Sequence, residues 1–138
     1  MVFYCPSCWH DVQKECYICP ACGFDIRAFF ENKDYVDKLV VALDHPDAAT
    51  PVRSAWILGQ RREERAIEPL YNLARHSPDL YVVAAAVKAL LDIGTAESLA
   101  RASVFSEHPS IMIRNLFMGS MPDNSTTQPG NDEKHFRK

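Results

Sequence analysis

Apolar residues recur at helical spacing over most of the chain. Val36, Leu39, Val40 and Leu43 fall at i, i+3, i+4 and i+7, and so do Ile67, Leu70, Tyr71 and Ala74. That is the stripe of an amphipathic helix. Each stripe runs into a turn, His45-Pro46-Asp47 or Ser77-Pro78-Asp79, and a third turn of the same kind is His108-Pro109-Ser110. Successive prolines are 32 and 31 residues apart. Beyond the turns come further apolar runs at 52–59 and 82–90, which Gly59 and Gly94 are expected to close, because glycine is the natural C-terminal stop. A third, degenerate copy occupies 99–105 and 111–117.

The repeating unit is therefore helix, proline turn, helix, in about 31 residues. The second helices are expected at 50–60, 80–93 and 111–119. A single hairpin cannot bury its own stripe, so neighbouring hairpins must stack. An unrelated helical bundle with three coincident proline turns is the alternative, and the near-equal spacings argue against it. The fold class is mainly α, a short solenoid of about 2.5–3 hairpins over residues 34–119. Leu39-Val40-Val41-Ala42-Leu43-Asp44-His45-Pro46-Asp47, Ser54-Ala55-Trp56-Ile57-Leu58-Gly59 and Ala86-Val87-Lys88-Ala89-Leu90-Leu91-Asp92-Ile93-Gly94 resemble HEAT repeats. They are closest to the short type first named from phycobilisome lyases. The resemblance implies a scaffold or adaptor. It also implies, as an alternative, a bilin-lyase-like accessory enzyme, although no pigment-binding residue is identified.

All five cysteines lie between Cys5 and Cys22. Cys5-Pro6-Ser7-Cys8 and Cys19-Pro20-Ala21-Cys22-Gly23 are two C-x2-C pairs, separated by ten residues. Two such pairs close a tetrahedral four-sulfur site around zinc. Pro6 and Pro20 pre-set each turn, and Gly23 can take the positive φ that bends backbone around the ion. Residues 1–26 resemble a zinc ribbon, with structural zinc as the cofactor and Cys5, Cys8, Cys19 and Cys22 as ligands. Trp9 stands where glycine usually follows the second cysteine, which predicts a less regular first knuckle. Cys16 is surplus. Cys16 and Cys19 form another C-x2-C pair, and His10 is a further replacement ligand. Disulfides or a redox-active dithiol are the other readings of the cluster. Cytoplasmic redox conditions and the spacing disfavour disulfides, and no βαβ scaffold supports a dithiol. Cys16 is expected to be a buried, inert thiol; a reactive one is the alternative.

Charge narrows the function further. The 138 residues carry 15 Lys+Arg and 18 Asp+Glu, a net −3, and residues 34–119 hold 11 acids and 9 bases. The ribbon holds Lys14 as its one cation. A nucleic-acid-binding ribbon needs a basic face, so that alternative is disfavoured. No apolar stretch is long enough for a membrane span, and the opening residues do not read as a secretory leader, so a cytoplasmic protein is expected. The run Arg61-Arg62-Glu63-Glu64-Arg65 reads as a solvated, self-compensating loop. Histidines are scattered, and His45 and His108, each before a turn proline, are expected to bond local backbone. No nucleophile–base pair, paired carboxylates or glycine-rich phosphate loop is present. The chain is expected not to be an enzyme.

Four segments follow: a zinc ribbon at 1–26, a linker at 27–33, HEAT-like repeats at 34–119 and a flexible tail at 120–138. Within the linker, at least one of Phe29 and Phe30 should dock the ribbon onto the first repeat as an end cap. Arg53, Trp56, Tyr81, Lys88 and Arg114, on the second helices, are the candidate protein-binding residues. Aligning Leu58 with Leu90 sets Trp56 opposite Lys88, a solvated position. Trp56 is either covered by the ribbon or a neighbouring helix, the commoner fate of tryptophan, or an exposed binding hot spot. The partner is an unidentified protein, and a homodimer through Phe117, Met118 and Met121 is conceivable.

Overall fold

The computed structural model describes residues 3–119. The expected tail at 120–138, Met121 included, lies outside the described residues. A two-stranded antiparallel hairpin comes first, with β1 (Phe3–Tyr4) paired to β2 (Asp11–Val12) in the register Phe3 to Val12 and Tyr4 to Asp11. Helices α1 (Ile26–Asn32), α2 (Tyr35–Ala42), α3 (Ala49–Gln60), α4 (Ile67–His76), α5 (Leu80–Ile93), α6 (Ala96–Ser103) and α7 (Ile111–Gly119) follow. A 3-10 turn at Glu64–Ala66 leads into α4.

Helices α2 and α3 pack as one hairpin and α4 and α5 as a second, while α6 and α7, joined by the third proline turn, each pack against α5. The three proline turns share one hydrogen-bond scheme. The side chain before the proline accepts from the amide after it: Asp47 N–H to His45 Nδ1 at 3.0 Å, Asp79 N–H to Ser77 Oγ at 3.2 Å, and Ser110 N–H to His108 Nδ1 at 3.0 Å. The residue after the proline then accepts from the amide two positions on: Ala49 to Asp47, Tyr81 to Asp79, and Met112 to Ser110. These amides begin the second helices and would otherwise lack partners. Asp34 caps α2 through the Asp37 amide, and Thr95 caps α6 through the Ser98 amide. The repeat read in the sequence is thus a repeat of cap chemistry as well as of apolar spacing.

Helix α5 is the centre of the stack and packs against α3, α4, α6 and α7. Its wide apolar face, from Val82 and Val83 through Ala86, Val87, Ala89 and Leu90 to Ile93, is buried. Leu58, Leu70, Leu90, Val87 and Ile113 are fully buried in the shared core. Stacking of hairpins satisfies the stripes that no single hairpin could cover. The structure is a short α-solenoid with a small cysteine-bearing module at its N-terminal end.

The linker expected at 27–33 lies largely within α1, whose first turn is capped by Asp25 accepting from the Ala28 amide at 2.9 Å. Burial of Ile26 and Phe29 on one side holds this short helix. One expectation needs correction: Gly59 is not a stop signal. Helix α3 continues to Gln60, and the positive φ after it falls on Arg62, at 53°. Gly59 instead sits where α3 meets α5: a Cβ there would lie 2.9 Å from Ala89 Cα. Gly94 does end α5, with φ 74° and its N–H donating to the Leu90 carbonyl.

Candidate metal centre

The N-terminal module is two copies of one knuckle. In the first, the Trp9 amide donates to the Cys5 carbonyl at 2.8 Å and the Cys5 amide to the His10 carbonyl at 2.9 Å; in the second, Gly23 donates to Cys19 and Cys19 to Phe24, both at 2.9 Å. A backbone amide points at one sulfur in each: Ser7 N–H at Cys5 Sγ, 3.4 Å, and Ala21 N–H at Cys19 Sγ, 3.3 Å. Both knuckles need a positive φ just after the second cysteine. Gly23 supplies it at 78° and Trp9 at 63°. The expected irregularity of the first knuckle is therefore absent: Trp9 adopts the glycine conformation, at a cost of about 1–2 kcal/mol.

The two turns bring four sulfurs together, those of Cys5, Cys8, Cys19 and Cys22, all within 4.8 Å of one another. Cys5 Sγ and Cys22 Sγ are 3.7 Å apart, as are Cys8 Sγ and Cys19 Sγ. A tetrahedral ion with metal–sulfur bonds near 2.3 Å requires sulfur–sulfur edges of about 3.8 Å. These two separations match that requirement and are far beyond the roughly 2 Å of a disulfide. All five cysteines are free. The cluster can hold a metal ion.

Cys16 does not join it. Its thiol donates to the Ile18 carbonyl at 3.0 Å, and its side chain packs half-buried against the small core of Cys5, Cys19 and Ile26. His10 is exposed, and its carbonyl rather than its ring serves the first knuckle. Neither replacement ligand is used.

Cys19 and Cys8 are shifted in opposite directions. Burial opposes charge on Cys19, but the amides of Cys22 and Ala21 and the thiols of Cys8 and Cys22 outweigh it and lower its pKa to about 6. The amide of His10 favours the Cys8 thiolate; local desolvation and the sulfurs of Cys22, Cys19 and Cys5 oppose it and push it up to about 12. A bound cation would remove the repulsion that keeps the last proton on.

Aromatic rings fix the module to the stack. The rings of Tyr4 and Trp9 both meet His45, at the turn between α2 and α3, with centroids 4.6 and 5.0 Å away. Phe29 is buried and contacts Phe24 at 6.0 Å, whereas Phe30 is half exposed with Lys38 over its ring. The sequence reading identified the phenylalanine pair but missed Tyr4 and Trp9 as docking residues. The signal was a bulky aromatic at a position where the backbone favours glycine.

The five surface residues do not form one site. Trp56 is 59% exposed and Tyr81 73%, so cover by the module or a neighbouring helix, the commoner fate of tryptophan, does not apply to Trp56. Trp56, Tyr81 and Arg53 line one shallow hollow with Val52 and Asp79. Lys88 is exposed as expected but is bonded to Asp92 at 2.9 and 3.1 Å. Arg114 is turned to its own chain, donating to the His108 and Pro109 carbonyls at 2.8 and 2.9 Å. Neither lines the hollow. The Arg61–Arg65 run compensates itself only in part: Arg61 pairs with Glu63 at 3.4 Å, but Arg65 reaches Asp34 and Asp37 at the start of α2.

A cysteine-clamped module on a stack of antiparallel helix pairs is the class that fold and site define. A family model for HEAT repeats matches residues 36–103, which spans α2 to α6. The helical stack is HEAT-like. No curated protein and no solved structure matches the chain. Among the described residues no helix is long and apolar enough to cross a membrane.

Proposed function

We propose that this chain is a non-enzymatic, cytoplasmic protein-interaction scaffold, built on short HEAT repeats of the phycobilisome-lyase type. Zinc bound by Cys5, Cys8, Cys19 and Cys22 holds the N-terminal module in shape, and the second helices present a recognition surface around Trp56. The observation that carries the reading is the exposed aromatic pair on the stack: Trp56 and Tyr81 share one hollow with Arg53. Tryptophan, tyrosine and arginine are the residues in which binding energy concentrates at protein interfaces. Caps and core fix the helices that carry them, so a partner loses less conformational freedom on docking.

Zinc acts structurally in this proposal. Four thiolates fill a tetrahedral shell and leave no position for water or substrate, so the ion stabilises the fold rather than activating a reactant. The chain's own residues supply the four sulfurs, the amides that point at them and the ring contacts to His45.

The test is in two parts. Elemental analysis of the purified chain should give about one zinc per molecule. Affinity capture from the native host should recover a partner that the full chain binds, that Trp56→Ala loses and that Arg75→Ala, on another face, retains. Equal capture by both variants, or measurable turnover of a substrate, overturns the scaffold reading.

A further inference from the structure

A second concavity lies between the cysteine module and the first repeat. It measures about 700 Å3, within the roughly 300–1,000 Å3 of small-molecule sites. The module contributes Phe3, Trp9 and Val12 to its walls, and the helical side contributes Phe29 and Val41. Three cations stand at this cavity, Lys14, Arg27 and Lys38, against one carboxylate, Glu31. Arg27 is already paired with Glu31 at 2.9 Å. Lys38 lies over the Phe30 ring at 5.6 Å, and among the described residues neither Lys14 nor Lys38 has a carboxylate within ion-pair distance.

Two unpaired ammonium groups beside an aromatic hollow are a local reversal of charge in a chain that is net −3. Such a site attracts an anion, and its apolar walls gain by covering hydrocarbon. We infer that this cavity binds a small amphiphilic carboxylate, with the apolar body seated between Trp9 and Phe29 and the carboxylate at Lys14 and Lys38. The inference is independent of the Trp56 surface.

Trp9 lines the cavity and Trp56 does not, and these are the two tryptophans of the chain. A metal-loaded Trp56→Phe protein therefore reports on the cavity through Trp9 emission alone. Titration with 4-phenylbutyrate should give a saturable change. The neutral 4-phenylbutan-1-ol should bind about fivefold more weakly, the size that two part-exposed ion pairs supply. Lys14→Gln/Lys38→Gln should bring the carboxylate down to the level of the alcohol and Lys14→Glu/Lys38→Glu should take it below, while Lys88→Glu, remote from the cavity, should leave it unchanged. No saturable change, equal affinity for acid and alcohol, or indifference to the double charge reversal overturns the inference. An acetylated pentapeptide ending in phenylalanine that binds tenfold or more tightly than phenylbutyrate also overturns it, in favour of a peptide C-terminus.

Discussion

Gly59→Ala tests the packing at the heart of the stack. In an uncrowded helix this change gains about 1 kcal/mol, because alanine is the better helix former. Here the new methyl would sit 2.9 Å from Ala89 Cα, 3.1 Å from its Cβ and 3.3 Å from its carbonyl oxygen. Ordinary carbon contacts lie at about 3.5–4.0 Å, so the nearest is short by roughly 0.6–1 Å. Ala89 belongs to α5, which is held from four sides, and no rotamer change can move its Cα away. Helix α3 must shift, which loosens Ala55 and Leu58, both fully buried beside it. Overpacking of this kind costs about 1–3 kcal/mol and outweighs the propensity gain. With a cost near the middle of that range, the expected result is a net loss of about 1 kcal/mol, a fall of about 4 °C in Tm for a chain of this size. Urea and thermal melts of metal-loaded protein would measure it. Gly59→Ala/Ala89→Gly should recover only part of the loss, since the shortest contact is to Cα. A Gly59→Ala protein as stable as the parent, or more so, would refute the α3–α5 packing.

Chelation should separate the two cores. The cysteine module has its own small buried cluster of Cys5, Cys19 and Ile26, apart from the core of the helical stack. Metal removal, or Cys8→Ser, is expected to abolish the ordered Trp9 signal in near-UV circular dichroism of the Trp56→Phe protein while most far-UV helical signal persists. Loss of both together would contradict separate cores. Leu58→Ala removes a fully buried side chain and should cost about 3–5 kcal/mol in urea unfolding; less than about 1 kcal/mol would place Leu58 outside the core. Asp34 has its pKa held below the usual 3.8 by the Asp37 amide and then by Arg65. Its charge therefore stabilises the fold above that value, and the contribution fades as pH falls through the lowered one. Asp34→Asn, which keeps a capping oxygen, should lower Tm at pH 7 and lower it less as the pH is taken down towards 2; an equal drop at both would exclude the charge as the cause.

The helical stack was legible because its signals are local and repeated. Leu39, Leu43, Leu70 and Ala74 mark one face of a helix wherever they stand, and proline turns 32 and 31 residues apart mark the unit. The four-cysteine site was legible for the same reason, since C-x2-C spacing fixes a turn that aims two sulfurs together. Helix α1 was not, because its seven residues are too few for a period and its aromatic pair reads equally well as a junction. The purpose of Gly59 was not, because a glycine near a helix end fits both a stop and a close approach, and only the position of α5 decides between them. Arg114 is a binding candidate by its place on a second helix, and its intrachain bonds were not legible. The carbonyls that engage it, those of His108 and Pro109, become its neighbours only when the third turn has folded.

The three turns also explain where the module sits. In each, the side chain before the proline has the same duty, accepting the amide two residues on. A serine hydroxyl suffices for that at Ser77, in the interior repeat. The outer two turns carry histidine, whose ring offers a face as well as a nitrogen. At His45 the ring meets Tyr4 and Trp9 in edge-type contacts, so a single residue closes the turn and receives the module. Trp9 reaches it only by taking a backbone conformation that disfavours any side chain. Glycine would serve the knuckle better and the docking not at all. The strain of about 1–2 kcal/mol therefore argues that holding the module against the first repeat matters to this chain beyond the stability of the cysteine knuckle itself.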